Sequence, residues 1–176
     1  MELNVDLIRR TICKNSSEDD FQTLIHLARQ YNLDPLKKEI WFIGYGGKST
    51  IITGRDGYLK IANQDPNFDG IESDVVYIGD KVTKRDDGSF LIELGEEHLQ
   101  FNKGKLAGAY CNVFRKDRSK ASSTYVSLKD YYKKGNIWDQ YTNAMILKVA
   151  EAISLKKAFC ISGLVTSEEI EDSPKE

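Results

Sequence analysis

Four groupings in the sequence have residue types suited to chemistry. Gly44-Tyr-Gly-Gly-Lys-Ser-Thr50 sets a lysine and two hydroxyls after glycines, the composition of a loop that cradles phosphates. Arg115-Lys-Asp-Arg-Ser-Lys120 places four cations within six residues, a density suited to a polyanion. Asp74, Asp80, Asp86 and Asp87 are carboxylates that could gather round a metal. Cys13, Cys111 and Cys160, with His26 and His98, are the softer ligands and the nucleophiles.

Spacing decides among them. A phosphate loop needs a glycine five residues before the glycine that precedes its lysine, and counting back from Gly47 reaches Phe42. Thr50-Ile-Ile-Thr53 then continues as β-branched strand where such a loop would open a helix, which argues against an ATP site and leaves Lys48 free to meet some other phosphate. Ser49 and Ser73 lie in no nucleophile-elbow context. The aspartates lack the spacing of a calcium loop and fit hairpin turns. The cysteines are odd in number, far apart and never paired as CxxC, which speaks against a disulfide framework or a zinc site. His26 falls in a helical pattern as a surface or packed residue.

What remains is charge. The chain of 176 residues carries a formal −2, but unevenly. Residues 1–100 hold 12 Lys and Arg against 18 Asp and Glu, a net −6; residues 101–160 hold 12 against 4, a net +8; residues 161–176 hold 1 against 5, a net −4. A basic block between acidic ones suggests a face for a polyanion, with salt-sensitive affinity. Hydrophobic residues make up 40%, enough for one domain with a core. No apolar run approaches the roughly 20 residues of a membrane span. Met1-Glu-Leu-Asn-Val-Asp-Leu-Ile-Arg-Arg10 has neither the basic start nor the apolar block of a secretory signal, so a cytosolic setting is expected.

The elements that must position these residues can be read from periodicity. Leu3, Leu7, Ile8 and Ile12 suit one face of a first helix. Ser17 with Asp20 reads as a capping box for a second, carrying Phe21, Leu24, Ile25, Ala28 and Tyr31 and ending at Asp34-Pro35. The runs 39–43 and 48–53 predict a hairpin, and Thr53 with Asp56 a cap for a short helix over 55–63. Strands are expected at 71–78, 81–84, 89–94, 98–101, 105–115 and 122–127, with turns at Gly79-Asp80, Asp86-Asp87-Gly88, Asn102-Lys103-Gly104 and Lys116-Asp117-Arg118. Ser127 with Asp130 predicts a short helix ending near Gly135, a longer helix should span about 139–159, and Thr166 with Glu169 should cap a last acidic turn. Trp138 reads as a packing anchor and Tyr58 as core, and the same holds for the other candidate stacking rings, Tyr131 and Tyr132. The class is α+β: N-terminal helices, a central antiparallel curved sheet with hairpins, and a long C-terminal helix packed on the sheet. The domain is expected to span 1–165, with an acidic tail over 166–176.

Four blocks in this order resemble a known family. They are Tyr31-Asn-Leu-Asp-Pro-Leu-Lys-Lys-Glu-Ile-Trp-Phe-Ile43; Thr50-Ile-Ile-Thr-Gly-Arg-Asp-Gly-Tyr-Leu-Lys-Ile-Ala62 with Asn67-Phe-Asp-Gly70; Cys111-Asn-Val-Phe-Arg-Lys-Asp-Arg118; and Trp138 followed by Met145-Ile-Leu-Lys-Val-Ala-Glu-Ala-Ile-Ser-Leu-Lys-Lys-Ala-Phe159. Together they are similar to the phage Bet/RecT family of single-strand annealing recombinases, the basic strand and turn being closest to the Bet branch. Thr142 departs from a proline usual in that stretch, Asn143 and Ala144 stand where some members are basic, and 71–105 carries an extra acidic hairpin.

The resemblance implies an ATP-independent protein without a cofactor and without covalent chemistry. It would bind single-stranded DNA in a basic groove between sheet and long helix and promote pairing of complementary strands in homologous recombination. Arg115, Lys116, Arg118, Lys148 and Lys156 are the expected phosphate contacts, with Lys38, Lys48, Arg55 and Lys60 as further candidates. Expected partners are single-stranded DNA, the annealed duplex intermediate, and further copies of the chain in a ring or helical filament, with the N-terminal helices as subunit contacts. Family habit adds a phage exonuclease or a host single-strand-binding protein, no membrane, and a phage- or prophage-encoded protein in a bacterial cytoplasm. The alternatives are a strand binder that does not anneal and an interaction module that has lost DNA binding.

Overall fold

Asn4 and Ser17 each start a helix. Leu7 N–H donates to Asn4 Oδ1 at 3.0 Å and Asp20 N–H to Ser17 Oγ at 3.1 Å, capping α1 (Val5–Thr11) and α2 (Glu18–Gln30). The computed structural model describes residues 3–45, 48–100, 104–135 and 137–167, with the backbone alone at 44, 45, 48 and 49. The chain divides into two compact units: one formed by the residues up to Gln64 with those after Cys160, the other by Asp65–Cys160.

In the first unit, α2 buries Phe21, Leu24, Ile25 and Ala28, as their spacing predicts, and leaves His26 exposed. Asp34 Oδ1 then accepts from Leu36 N–H at 2.9 Å and opens a 3-10 turn, Pro35–Lys37, which Lys38 closes in the left-handed region. That turn folds Glu39 back, its carboxylate accepting from Asp34 N–H at 2.7 Å, so the first strand starts at Trp41 and not at residue 39. β1 (Trp41–Tyr45) and β2 (Lys48–Ile52) form the expected antiparallel hairpin, and α3 (Arg55–Gln64) follows with Tyr58 and Ala62 buried. Thr53 does not cap α3. Its Oγ1 is buried without a hydrogen-bond partner, because the side chain packs towards Gly57. A Cβ at Gly57 would lie 2.4 Å from the Thr53 methyl and 2.8 Å from the Glu39 carbonyl oxygen. The chain returns after Cys160: Val165 bridges Ile52 in parallel and accepts from Thr53 N–H at 2.9 Å.

The second unit is a sheet with a helix on one face. Its elements are β3 (Phe68–Tyr77), β4 (Lys81–Lys84), β5 (Phe90–Glu93), α4 (Glu96–Leu99), β6 (Leu106–Arg115), β7 (Ser122–Ser127), α5 (Leu128–Tyr131), α6 (Ile137–Gln140) and α7 (Thr142–Phe159). Strands run antiparallel in the order β3-β6-β7, with Ser73 opposite Cys111 and Cys111 opposite Thr124. Register shifts after Phe68 and at Val76–Tyr77 interrupt β3, and such irregularities bend a strand. Helix α7 packs on this sheet and buries Met145, Ile146, Val149, Ala152, Leu155 and Ala158. Three polar contacts set its register: Ser154 Oγ donates to the Cys111 carbonyl at 3.0 Å, Ser73 Oγ to buried Glu151 at 2.6 Å, and Asn143 Nδ2 to the Tyr77 hydroxyl at 2.5 Å. The alternate residues, Glu72 and Asn112, face the opposite side. There the wholly buried Asn112 amide accepts from Phe90 N–H and donates to Phe90 O, both at 2.8 Å, holding the β4–β5 hairpin.

The architecture is thus mixed α+β, with N-terminal helices, antiparallel strands in hairpins and a long helix on the sheet. Some expected elements differ. Residues 98–100 do not begin the expected strand 98–101: Glu96–Leu99 form a helical turn after Gly95, with Glu96 and Glu97 where a helix start favours acids. Phe101, Asn102 and Lys103 lie outside the described residues, as does Glu169. The helix after Ser127 is a single turn without a side-chain cap, and the long helix begins at Thr142, after the separate turn α6. Among the described residues no helix is long and apolar enough to cross a membrane.

Candidate nucleic-acid interface

Strand β6 ends on Arg115, and the link to β7 carries Lys116, Arg118 and Lys120, all three exposed. Backbone bonds fix this link. Lys116 N–H donates to Asn67 O at 2.8 Å, Arg118 N–H to Arg115 O at 3.2 Å, and Ala121 N–H to Asp87 O at 2.9 Å. Lys120 also reaches the Asp86 carbonyl with its ammonium.

Arg115 itself is turned inward, its side chain 10% exposed. Its guanidinium forms a fork on Asp117, Nε to Oδ1 at 2.9 Å and Nη2 to Oδ2 at 2.8 Å, and donates to Asp65 at 2.8 Å through Nη1. It lies over the Phe159 ring, 4.7 Å from the centroid, and Phe68 meets the same ring edge-on at 5.7 Å. Arg115 therefore offers little to a phosphate. It ties the start of β3, the end of β6 and the last turn of α7 into one corner, from which Lys116 and Arg118 project. This burial was missed in the sequence, although Asp117 two residues on and Asp65 before a proline are the partners such a residue would need.

The corner has an acid-labile component. Asp117 is held below the usual carboxylate range by Arg115, and Asp65 by the Asn67 N–H and then by Arg115. Carboxylates lowered in the folded state contribute stability above their unfolded pKa, about 4, which is lost as pH falls through the lowered values. Arg115→Ala should cost about 2 kcal/mol, the scale of hydrogen bonds to charged groups. It should also flatten the stability profile between neutral pH and about pH 3. Paired urea titrations at the two pH values measure both. An alanine variant as stable and as acid-sensitive as the parent would deny Arg115 this structural role.

The other expected contacts fall in two places. Lys148 is exposed on α7, and Lys156 is half-buried eight residues on, about 12 Å along the helix axis. Lys156 stands three residues before Phe159, on the side of the last turn that meets Arg115, whereas exposed Lys157, two residues before it, lies on another face of the helix. Lys38, Lys48, Arg55 and Lys60 belong to the first unit. Lys38 is exposed; Lys48 stands in β2, where Gly44 pairs with Ser49 and Tyr45 with Lys48 in a strand ladder. Arg55 pairs with Asp56 at 2.6 Å and Lys60 with Glu39 at 2.5 Å, so both cations already have carboxylates.

Among the candidate metal-binding aspartates, Asp80 and Asp87 serve the turns of the hairpin. Asp80 accepts from Tyr77 N–H and Gly95 N–H, each at 2.8 Å, and pairs with His98 at 2.8 Å. Burial pushes its carboxyl up, but these donors together bring it below the ordinary range. Asp87 accepts from Ser89 N–H and Oγ, and Asp74 from Val75 N–H. Burial drives the Cys111 thiol up to about 12, which makes it a packing group and not a nucleophile. Among the described residues no three His, Cys, Asp or Glu side chains are placed to hold a metal.

The site is therefore a turn of exposed cations, Lys116, Arg118 and Lys120, braced by Arg115. No curated protein matches the chain. A family model described as the RecT family matches residues 1–176.

Proposed function

Because this chain belongs to the RecT family, whose general role is single-strand DNA annealing and recombination, we propose that it anneals complementary strands from a phosphate grip built on the Arg115 corner. The observation that carries this reading is the exposed Lys116–Lys120 turn, braced from beneath by Arg115. Annealing requires a strand held by its phosphates with its bases free. Lys116, Arg118, Lys148 and Lys156 supply sequence-independent contacts and lessen repulsion between two strands. In the first unit exposed Lys38 is a separate candidate contact, while Arg55 and Lys60, like Arg115, act mainly through the carboxylates they hold. The reaction needs no nucleotide and breaks no covalent bond.

Weak contacts of this kind gain strength when copies of the chain align along one strand, so the working form is a ring or helical filament. The resemblance of the stretch 111–118 to the Bet branch supports a role in a bacterial host, with a phage exonuclease or a single-strand-binding protein as a further partner.

Mixing dye-labelled complementary oligonucleotides with the protein, without nucleotide, should speed pairing, and the effect should fade as salt rises. Each phosphate contact on a single strand adds about 0.7 to the slope of log affinity against log salt. Lys116→Ala with Arg118→Ala should therefore lower that slope by about 1.4 in a fluorescence-anisotropy titration. An unchanged slope would move the grip elsewhere. Binding without faster pairing would leave a strand binder, and no binding at all would favour an interaction module.

A further inference from the structure

We propose that Tyr141, with Ile137 beside it, is a stacking platform for an unpaired nucleobase of the bound strand, an inference that rests on the annealing reading above. Tyr141 is 59% exposed and Ile137 50% exposed, although both are large and apolar. They lie four residues apart, and Tyr141 N–H donates to Ile137 O at 2.8 Å, so one helical turn brings them to one face.

The surroundings hold this face still. Trp138 behind it is buried and meets Tyr132 edge-to-face at 6.3 Å. Thr142 Oγ1 donates to Trp138 O at 2.6 Å. Asp139 accepts from the Tyr132 hydroxyl and from Gly135 N–H at 2.9 Å, which pins the loop before α6. A ring that is exposed yet set on a pinned turn loses little freedom when a flat ligand covers it.

The flanking charge selects the ligand. Lys129, Lys133 and Lys134 precede the platform within thirteen residues against Asp130 and Asp139, the latter engaged as above, and the first turn of α7 carries no acid. An apolar aromatic face that follows a lysine-rich stretch of chain fits a ligand that alternates π faces with phosphates, which is single-stranded nucleic acid. Every base has such a face, so stacking adds affinity without sequence preference. It also needs an unpaired base, so the platform favours the single strand over a finished duplex.

The test compares a dye-labelled oligothymidylate with an abasic strand of equal length, which keeps the phosphates and lacks the bases. The full-length protein should bind the base-bearing strand about tenfold more tightly, the scale of one stacked base. Tyr141→Ala should remove that preference, leaving abasic binding, the salt slope and the melting temperature unchanged, and Tyr141→Phe should retain it. Equal binding of both strands by the parent protein overturns the proposal without any variant. So does an alanine variant that weakens both strands alike, or one that changes only the assembly mass in light scattering, which would make Tyr141 a subunit contact. Failure of the parent to bind either strand takes down the annealing reading together with the platform, whereas base-indifferent binding with the expected salt slope removes the platform alone.

Discussion

Asn112→Leu should destabilise the protein by about 4 kcal/mol and free the β4–β5 hairpin from its sheet. Leucine keeps the heavy-atom count and branching of asparagine but is bulkier, so some overpacking adds to the loss of the planar amide, which at Asn112 works as a short length of neighbouring strand. It accepts from Phe90 N–H and donates to Phe90 O, both at 2.8 Å, from a wholly buried position. Leucine leaves both backbone groups without partners, and each buried unsatisfied group costs about 1–3 kcal/mol. Hydrogen exchange should show the Phe90 amide and the Arg85–Ser89 turn losing protection while β6 keeps its own. Asn112→Asp keeps an acceptor for Phe90 N–H but loses the donor and sets a charge near Glu72, so it should fall no better than leucine. A leucine variant within about 1 kcal/mol of the parent would mean that water replaces the amide and that the hairpin is held by other contacts.

Gly108→Ala should be worse. Gly108 sits in the middle strand opposite Ser127, and a Cβ there would lie 2.1 Å from the Val126 carbonyl oxygen and 2.8 Å from the Tyr125 hydroxyl. A tyrosine ring can swing aside, but a carbonyl in a strand ladder cannot, so β7 must draw away from β6. The cost should exceed the roughly 1–3 kcal/mol of an overpacked methyl and lower the melting temperature by about 10 °C, or leave the chain insoluble. Gly54→Ala is the control: its Cβ would meet Trp41 at 3.6 Å, an ordinary contact, and it should melt within a few degrees of the parent. Equal melting of the two variants would show that the sheet can open at β7 without loss.

The elements were largely legible because their signals are local. Ser17 and Asp20 three residues apart, and the apolar period of α2, are properties of adjacent turns, and both hold. The paired runs around Gly44–Thr50 likewise predict a hairpin from nearest neighbours. The failures come where distant groups decide. Thr53 followed by Asp56 has the letters of a cap, but its methyl is needed against Gly57. His98–Phe101 alternates like a strand, yet the acids before it favour a helical turn after Gly95. The candidate site was legible as charge and not as geometry. The run Arg115–Lys120 shows where cations concentrate. Nothing within it says that Arg115 turns inward to Asp65, fifty residues away, or that Phe159 lies beneath it. Nothing in the sequence around Tyr141 sets it apart from other aromatics, and only the fold leaves it outside.

The first unit is built from two separate stretches of chain. Val165 bridges Ile52, and Tyr31 exchanges hydrogen bonds with Ser162 through its hydroxyl, at 2.7 Å to the carbonyl and 3.1 Å from the N–H. As the polypeptide leaves the ribosome, α1, α2 and the β1–β2 hairpin emerge first but stay incomplete. Every residue from Asp65 to Cys160 must be synthesised before their last partners arrive. The second unit, a single continuous stretch, has no such wait. The segment made first is thus the one finished last, and for that interval its apolar surfaces depend on the cell's chaperones or on prompt synthesis for protection.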